Sequence, residues 1–130
     1  MNENVKPIKK LTLGELQILC HNRSHTAGWW DDYINMPEQY RKYFLASRIA
    51  LIHSEASEGL EGMRKNRMDD HLPHRPSVEV ELADLIIRAL DMAGGLDLDL
   101  IGAIEEKLAY NAQRQDHTRE HRASEGGKSL

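Results

Sequence analysis

Apolar residues recur at helical spacing through much of this chain, and this periodicity constrains the fold more than any other feature. One stripe comprises Leu45, Ile49, Ile52, Ala56, Leu60 and Met63. A second comprises Val78, Leu82, Leu85, Ile86, Ala89, Leu90 and Ala93. Spacing of three or four residues places apolar side chains on one side of a helix. Because aromatic residues make up only 5% of the 130 residues, the pattern predicts an all-α fold with little or no sheet.

The first two predicted helices begin at recognisable signals. Thr12 and Glu15 form a capping-box pattern, which predicts a helix over about residues 13–22. Residues 23–32 lack clear periodicity and are predicted to form a loop. Pro37 suits the first turn of a second helix, which carries the first apolar stripe.

Two more helices are predicted beyond a Pro-containing loop at residues 66–76. Ser77 is the predicted N-cap of the third helix, which carries the second stripe and ends at a glycine pair, residues 94–95. Asp97 or Asp99 is expected to cap the fourth. Short connections favour antiparallel neighbours, so we expect a four-helix bundle core.

The expected domain organisation is one all-α domain over residues 1–115, followed by a polar, mobile tail at residues 116–130. Two readings of the tail remain open: a disordered terminus, or a lid that closes over phosphates. The cationic residues that would form such a lid are Arg119, His121, Arg122 and Lys128.

Charge, apolar content and cysteine usage exclude several classes of protein. The net charge is -4 and no basic run precedes the tail, so duplex nucleic acid is not an expected partner. Arg48 and Arg88 interrupt the longest apolar segments, which argues against a membrane span. Cys20 is the only cysteine, so no intrachain disulfide can form. We expect a cytoplasmic protein.

Two pairs of acidic residues border the apolar stripes. Glu55 and Glu58 are three positions apart on the second predicted helix, and Glu81 and Asp84 are three apart on the third. Four carboxylates brought together repel one another unless a cation neutralises them, and oxygen ligands suit Mg²⁺ or Mn²⁺. The alternative is that both pairs are solvated surface, which is also the expected role of Glu61.

Other candidate binding residues are cationic or aromatic. Lys107, Asn111 and Arg114 share one face of the fourth predicted helix and could hold a polyphosphate and a sugar or base, or form a solvated basic helix end. Trp29 and Trp30 could stack on a base, or anchor a loop to the core.

Together these residues resemble the signature of MazG-like nucleotide pyrophosphohydrolases. Glu55-x-x-Glu58 is followed, after a 22-residue gap, by Glu81-x-x-Asp84. The resemblance covers about residues 28–115 and departs at Ser54, where many members have another Glu. It extends to the stretch from His53 to Glu61, to the turn from Val80 to Asp84, and to Lys107-x-x-x-Asn111-x-x-Arg114.

The resemblance implies a fold and an activity. Such proteins are all-α nucleoside triphosphate pyrophosphohydrolases, which cleave between the α and β phosphates to release a nucleoside monophosphate and pyrophosphate. The segment from Gly28 to Trp30 is most similar to short single-domain members, often borne by phages. The implied substrate is a dNTP, and the implied assembly is a homodimer or homotetramer.

The resemblance also implies roles for individual residues. Glu55, Glu58, Glu81 and Asp84 would hold Mg²⁺, for which Mn²⁺ could substitute. Lys107, Asn111 and Arg114 would contact the nucleotide.

Three alternatives remain open. The chain could be a non-catalytic helical dimerisation module, or it could act on an alarmone or a nucleotide diphosphate derivative. A zinc or histidine-aspartate hydrolase is the third alternative. Its candidate residues are His53, Asp69, Asp70, His71 and His74.

Overall fold

A computed structural model describes residues 6–114, 116 and 118–124. A 3₁₀ turn, Ile8–Lys10, precedes six α-helices: α1 (Leu13–Thr26), α2 (Asp31–Asn35), α3 (Glu38–Arg64), α4 (Ser77–Gly95), α5 (Leu100–Gln113) and α6 (Arg119–Ala123). No β-strand occurs among the described residues, so the predicted all-α class is confirmed. In that same part of the chain, every helix is too short or too polar to cross a membrane.

The chain divides into two compact units, the first ending at Leu98 and the second beginning at Asp99. In the first unit, α4 packs against both α1 and α3. The second unit contains α5, which is the fourth predicted helix, and α6. The single domain over residues 1–115 and the four-helix bundle therefore stay predictions.

Two of the predicted helix caps are present. The Thr12 hydroxyl accepts a hydrogen bond from the Glu15 backbone N–H, and the Glu15 carboxylate accepts one from the Thr12 N–H. Asp99 accepts from the backbone N–H of Gly102 at the start of α5. Each cap satisfies backbone donors that have no partner within the first helical turn.

Other helix boundaries differ from the prediction. α1 continues to Thr26, so the predicted loop at residues 23–32 begins with a further helical turn. The chain then turns near Gly28, whose φ of 86° is readily adopted only by glycine, and enters α2. Pro76 occupies the N-cap position of α4, and Ser77 is its first helical residue. The prediction of Ser77 as the N-cap was therefore wrong.

α3 and α4 run antiparallel, as the short connection predicted. Gly62 lies beside Ser77, Gly59 lies beside Glu81, and Glu55 is bonded to Arg88, so the contacts proceed in opposite directions along the two helices. A Cβ added at Gly62 would lie 2.5 Å from the Ser77 Oγ, and one added at Gly59 would lie 3.4 Å from the Glu81 Cβ. The glycines thus allow the helices to approach closely.

The face of α3 that is buried is not the predicted apolar stripe. The buried residues of this helix are Glu55, Gly59 and Gly62. Leu60 and Met63, from the predicted stripe, are 61% and 63% exposed. The physical reason is that close helix packing selects the face with the smallest residues, and the apolar stripe lies beside that face.

On α4 the predicted stripe is only partly buried. Leu90 and Ala93 are core residues, as predicted, whereas Leu82 and Ile86 are exposed. Helical geometry explains where the exposed residues lie. Leu60 follows Gly59 by one position and Leu82 follows Glu81 by one position, and in an antiparallel pair such positions lie on the same side. The two helices therefore share an exposed apolar side.

The predicted tail contains α6, whose Thr118 cap accepts a hydrogen bond from the His121 backbone N–H. Residues 115, 117 and 125–130 lie outside the described part of the chain, and Lys128 is among them. The lid hypothesis stays a prediction.

Candidate metal centre

Three of the four predicted metal ligands meet at the α3–α4 contact. Glu55 of α3 and Glu81 and Asp84 of α4 each offer one carboxylate oxygen, and these oxygens all lie within 4.8 Å of one another. Glu55 is buried, Glu81 is half-buried and Asp84 is exposed. The arrangement follows from the antiparallel pairing, since Gly59 brings the turn after Glu55 against the turn that carries Glu81.

The carboxylates perturb one another strongly. Burial, a hydrogen bond with Glu55, and the charges of Glu58, Glu55 and Asp84 raise the pKa of Glu81 from 4.5 to about 7. Burial and the charge of Glu55 also raise the pKa of Asp84, against the opposing effect of Arg88. A divalent cation would relieve this crowding, and an all-oxygen donor set fits Mg²⁺ or Mn²⁺.

Glu58, the fourth predicted ligand, lies outside this group of three. Its side chain is exposed, and its charge is close enough to raise the pKa of Glu81. Glu58 and Glu81 both line an open cavity beside the cluster, together with Arg67, Asp69 and Asp70. Three predicted ligands are thus brought together, and the fourth stands at the cavity that adjoins them.

The loop residues of this cavity were not among the residues predicted for the acidic site. Asp69 raises the pKa of Asp84 by its charge, and its Oδ2 accepts hydrogen bonds from the backbone N–H groups of His71 and Leu72. An Asp that caps its own turn gives no periodic signal. Only the fold brings this loop to the two helices.

Arg88 was also missed as a residue of the site. Its Nε donates a hydrogen bond of 2.6 Å to Oε1 of Glu55. A signal was available, because Arg88 follows Asp84 by four positions and Glu81 by seven, which places it on the same face of α4.

Glu61 is half-buried and also lines the open cavity beside the cluster, so its surface role stays a prediction. Its carboxylate pairs with Arg64 in the last turn of α3 and with Lys65 at the C-cap, and the bond to Lys65 lowers its pKa. Such exposed pairs contribute little to stability.

The two tryptophans occupy different environments. Trp30 is 3% exposed, and its Nε1 donates to Asp91 Oδ1 at 2.8 Å. The rings of His21, Tyr33 and Phe44 pack around it. Trp30 therefore acts as a core anchor, and no ring face remains on which a base could stack.

Trp29 is 55% exposed, and the Arg48 guanidinium lies 5.5 Å from its ring centroid. Arg48 also donates a hydrogen bond to the Trp29 carbonyl. Base stacking stays a prediction for Trp29 alone.

The second unit carries the predicted nucleotide contacts. Lys107 Nζ and Arg114 Cζ lie 4.7 Å and 5.9 Å from the ring centroid of Tyr110, and Arg114 is paired with Asp116. The side-chain oxygen of Asn111 is buried without a hydrogen-bond partner among the described residues. Lys107 and Arg114 thus flank one aromatic ring, and their nucleotide contacts stay predictions.

The zinc hypothesis finds no assembled ligand set in the described residues. There, Glu55, Glu81 and Asp84 are the only group of three or more His, Cys, Asp or Glu residues close enough to hold one ion. His53, His71 and His74 are all exposed.

No protein-family model, no curated protein and no solved structure matches this chain. Any functional assignment therefore depends on the residues and geometry of the site.

Proposed function

We propose that this protein is a magnesium-dependent nucleoside triphosphate pyrophosphohydrolase of the MazG-like type. The observation that carries the proposal is the convergence of Glu55, Glu81 and Asp84 within 4.8 Å. Carboxylates on neighbouring helices repel one another when all are ionised. Here burial and the proximity of the other carboxylates raise the pKa of Glu81 to about 7. Such an arrangement is expected where a bound cation supplies the missing charge.

The carboxylates would divide the work as follows. Glu55, Glu81 and Asp84 would hold the cation, and Glu58, which is exposed and lines the adjoining cavity, would complete the set. Bound Mg²⁺ supplies polarisation of the phosphoryl group and neutralisation of developing charge. One carboxylate of the site would accept the proton of the attacking water.

The substrate class rests on the resemblance in sequence. Lys107, Asn111 and Arg114 match the family's nucleotide-contacting motif, and two cations and an amide suit a polyphosphate and a sugar or base. We propose cleavage of a dNTP to the monophosphate and pyrophosphate. An alarmone or a nucleotide diphosphate derivative is the alternative substrate.

The direct test is product analysis. Purified protein is incubated with each common NTP and dNTP, with and without Mg²⁺, and the products are separated by anion-exchange chromatography. We expect monophosphate and pyrophosphate, abolished by a chelator. Absence of turnover with every nucleotide, including alarmones and diphosphate derivatives, would contradict the proposal and favour a non-catalytic interaction module.

The exposed apolar side of α3 and α4 supports a second part of the proposal, association into a homodimer or homotetramer. Leu60, Met63, Leu82 and Ile86 are each more than half exposed. Apolar surface gathered on one side of a small protein is commonly covered by another copy. Light scattering coupled to gel filtration measures the assembly directly, and a monomer at all concentrations would contradict it.

A further inference from the structure

The buried carboxylate of Glu55 is held by one guanidinium. Glu55 is 7% exposed, and Arg88 donates from Nε to its Oε1 at 2.6 Å. A buried carboxylate requires such a partner, because an unpaired charge in the protein interior is costly. The bond to Arg88 engages Oε1 and leaves Oε2 outside that bond, where it can face a cation.

Arg88 belongs to a polar row along α4. Glu81, Asp84, Arg88 and Asp91 recur at intervals of three, four and three residues, which places them on one helix face. Asp91 is fixed in turn, since its Oδ1 accepts from Trp30 Nε1 at 2.8 Å and lies 3.0 Å from His21 Nδ1. The row thus begins with two candidate ligands, Glu81 and Asp84, and ends at Asp91, which is bonded to Trp30.

Arg88 lies between the acidic cluster and Trp30. Its side chain lines a small enclosed cavity with Trp30, Asp91, Arg48 and Met92, while its Nε reaches Glu55. Arg48 has other partners, because it donates to the Trp29 carbonyl and stacks on Phe44. Of these two guanidinium groups, Arg88 is the one bonded to the acidic cluster.

We propose that Arg88 is a positioning residue of the metal centre, which holds Glu55 by Oε1 so that Oε2 faces the cation. This inference rests on the proposed function, since it assumes that Glu55, Glu81 and Asp84 bind a metal. It predicts a change in metal affinity on removal of Arg88 that is opposite to the change expected from charge repulsion alone. If Arg88 only competed with the cation for Glu55, its removal would tighten metal binding. If Arg88 orients Glu55, its removal weakens binding.

The test is a Mn²⁺ titration of the full-length protein without nucleotide, with free Mn²⁺ counted by electron paramagnetic resonance. We expect Arg88→Met to weaken Mn²⁺ binding by about 10- to 100-fold, as is typical when a residue that orients a metal ligand is lost. Arg88→Lys keeps the charge and should recover part of the affinity. Binding by Arg88→Met as tight as or tighter than wild type overturns the proposal.

A matched control separates a local effect on Glu55 from the general effect of removing an arginine. Arg75→Met also removes one positive charge from the first unit, but Arg75 is paired with exposed Glu79 rather than with the cluster. We expect its Mn²⁺ affinity to stay close to that of the wild type. A loss as large as that of Arg88→Met would overturn the proposal, because removal of an arginine that does not contact the cluster would then have the same effect.

A double-mutant cycle tests whether Arg88 acts through Glu55. In a Glu55→Gln background, Arg88→Met should cause little further loss of Mn²⁺ affinity, because residues in direct contact act as a unit. Full additivity of the two losses overturns the proposal. If Arg88→Met loses its helical circular dichroism, Arg88→Lys decides instead: affinity below that of the wild type supports the proposal, and unchanged affinity overturns it.

Failure of this inference is distinguishable from failure of the proposed function. Wild-type protein that binds no Mn²⁺ and turns over no nucleotide contradicts both. Wild-type protein that binds Mn²⁺, together with an Arg88→Met variant of equal affinity, contradicts only the role of Arg88.

Discussion

Two faces of α3 contact different surroundings. One face, formed by Glu55, Gly59 and Gly62, is buried against α4. The neighbouring face carries Leu60 and Met63, which are exposed. In a small helical protein the opposite arrangement is expected, because burial of apolar surface supplies most of the stabilisation. The close contact between α3 and α4 is therefore made by small residues rather than by the apolar stripe. This contact also brings the carboxylates of the acidic cluster together.

The largest predicted effect tests the acidic cluster that forms where the buried face of α3 meets α4. Asp84→Asn removes a charged ligand while keeping the size of the side chain, so turnover should fall by at least about 100-fold. Helix content should be unchanged, because the Asp84 side chain is exposed. Product analysis and circular dichroism measure the two quantities. Retention of Mg²⁺-dependent turnover would remove Asp84 from the site.

The matched control for Asp84→Asn is Glu79→Gln. Glu79 is an acid on the same helix, but it is exposed and paired with Arg75. Its replacement should leave turnover close to that of the wild type. Equal losses in both variants would mean that net charge, and not ligation, is responsible.

The second prediction tests the close contact itself. Gly62→Ala places a methyl group 2.5 Å from the Ser77 Oγ, so the free energy of unfolding should fall by about 1–3 kcal/mol. Gly59→Ala is the comparison, because its Cβ would meet the Glu81 Cβ at an ordinary 3.4 Å. Its cost should be offset by a gain in helix propensity of up to about 1 kcal/mol. Urea denaturation measures both, and equal stabilities of the two variants would refute the tight Gly62 contact.

The third prediction concerns pH. The pKa of Glu81 is about 7 in the folded protein, against an ordinary value of 4.5, so between these values the folded state holds a proton that the unfolded state has lost. The stability of the metal-free protein should therefore fall as pH rises from about 4.5 to about 7, by at most about 1.4 kcal/mol per pH unit. Saturating Mg²⁺ should oppose this fall, because it binds the ionised cluster.

Thermal unfolding at pH 5, 6, 7 and 8, with and without Mg²⁺, measures this dependence. Glu81→Gln should reduce the slope of the metal-free curve, since its side chain cannot ionise. Asp84, whose pKa is raised from an ordinary value of 3.8, acts in the same direction and leaves a residual slope. The lowered pKa values of Glu15 and Glu61 act below 4.5 and so fall outside this window. A wild-type curve with the same slope as that of Glu81→Gln would contradict the assignment.

The smallest predicted effect sharpens the role of the apolar face. If this face joins two copies, Leu60→Ala should weaken their association by about fivefold, which corresponds to about 1 kcal/mol of lost apolar burial for the two subunits together. Sedimentation equilibrium measures the change. Ile18→Ala is the comparison, because Ile18 is equally exposed but lies on α1. Equal effects of the two substitutions would remove the preference for the α3 face.

Much of the local structure was predictable from short-range signals. The Thr12 capping box and the Asp99 cap are present where the sequence indicated them, because a cap depends on residues within one turn. Ser77 failed as a cap because Pro76, directly before it, already takes the extended conformation that the position requires. Where two adjacent residues both suit the start of a helix, their residue types alone do not show which one occupies the N-cap position.

The site was predictable only in part. Spacing identified Glu55, Glu81 and Asp84, but not the link between Glu55 and Arg88, because that contact joins residues 33 positions apart. The two tryptophans are adjacent in the chain and of one type, yet Trp30 is buried and Trp29 is exposed. Their difference depends on Asp91, His21 and Phe44, which reach Trp30 from other helices.

The sequence by itself determined the all-α class, the capped starts of α1 and α5 and the two acidic pairs, since helical periodicity and capping are properties of neighbouring residues. Only the tertiary structure decided which face of each helix is buried. That choice depends on how closely two helices can approach, and at Gly59 and Gly62 the missing side chains allow an approach that a hydrophobic pattern does not reveal. The same approach brings Glu55 to Glu81, Asp84 and Arg88, and so assembles the candidate metal centre.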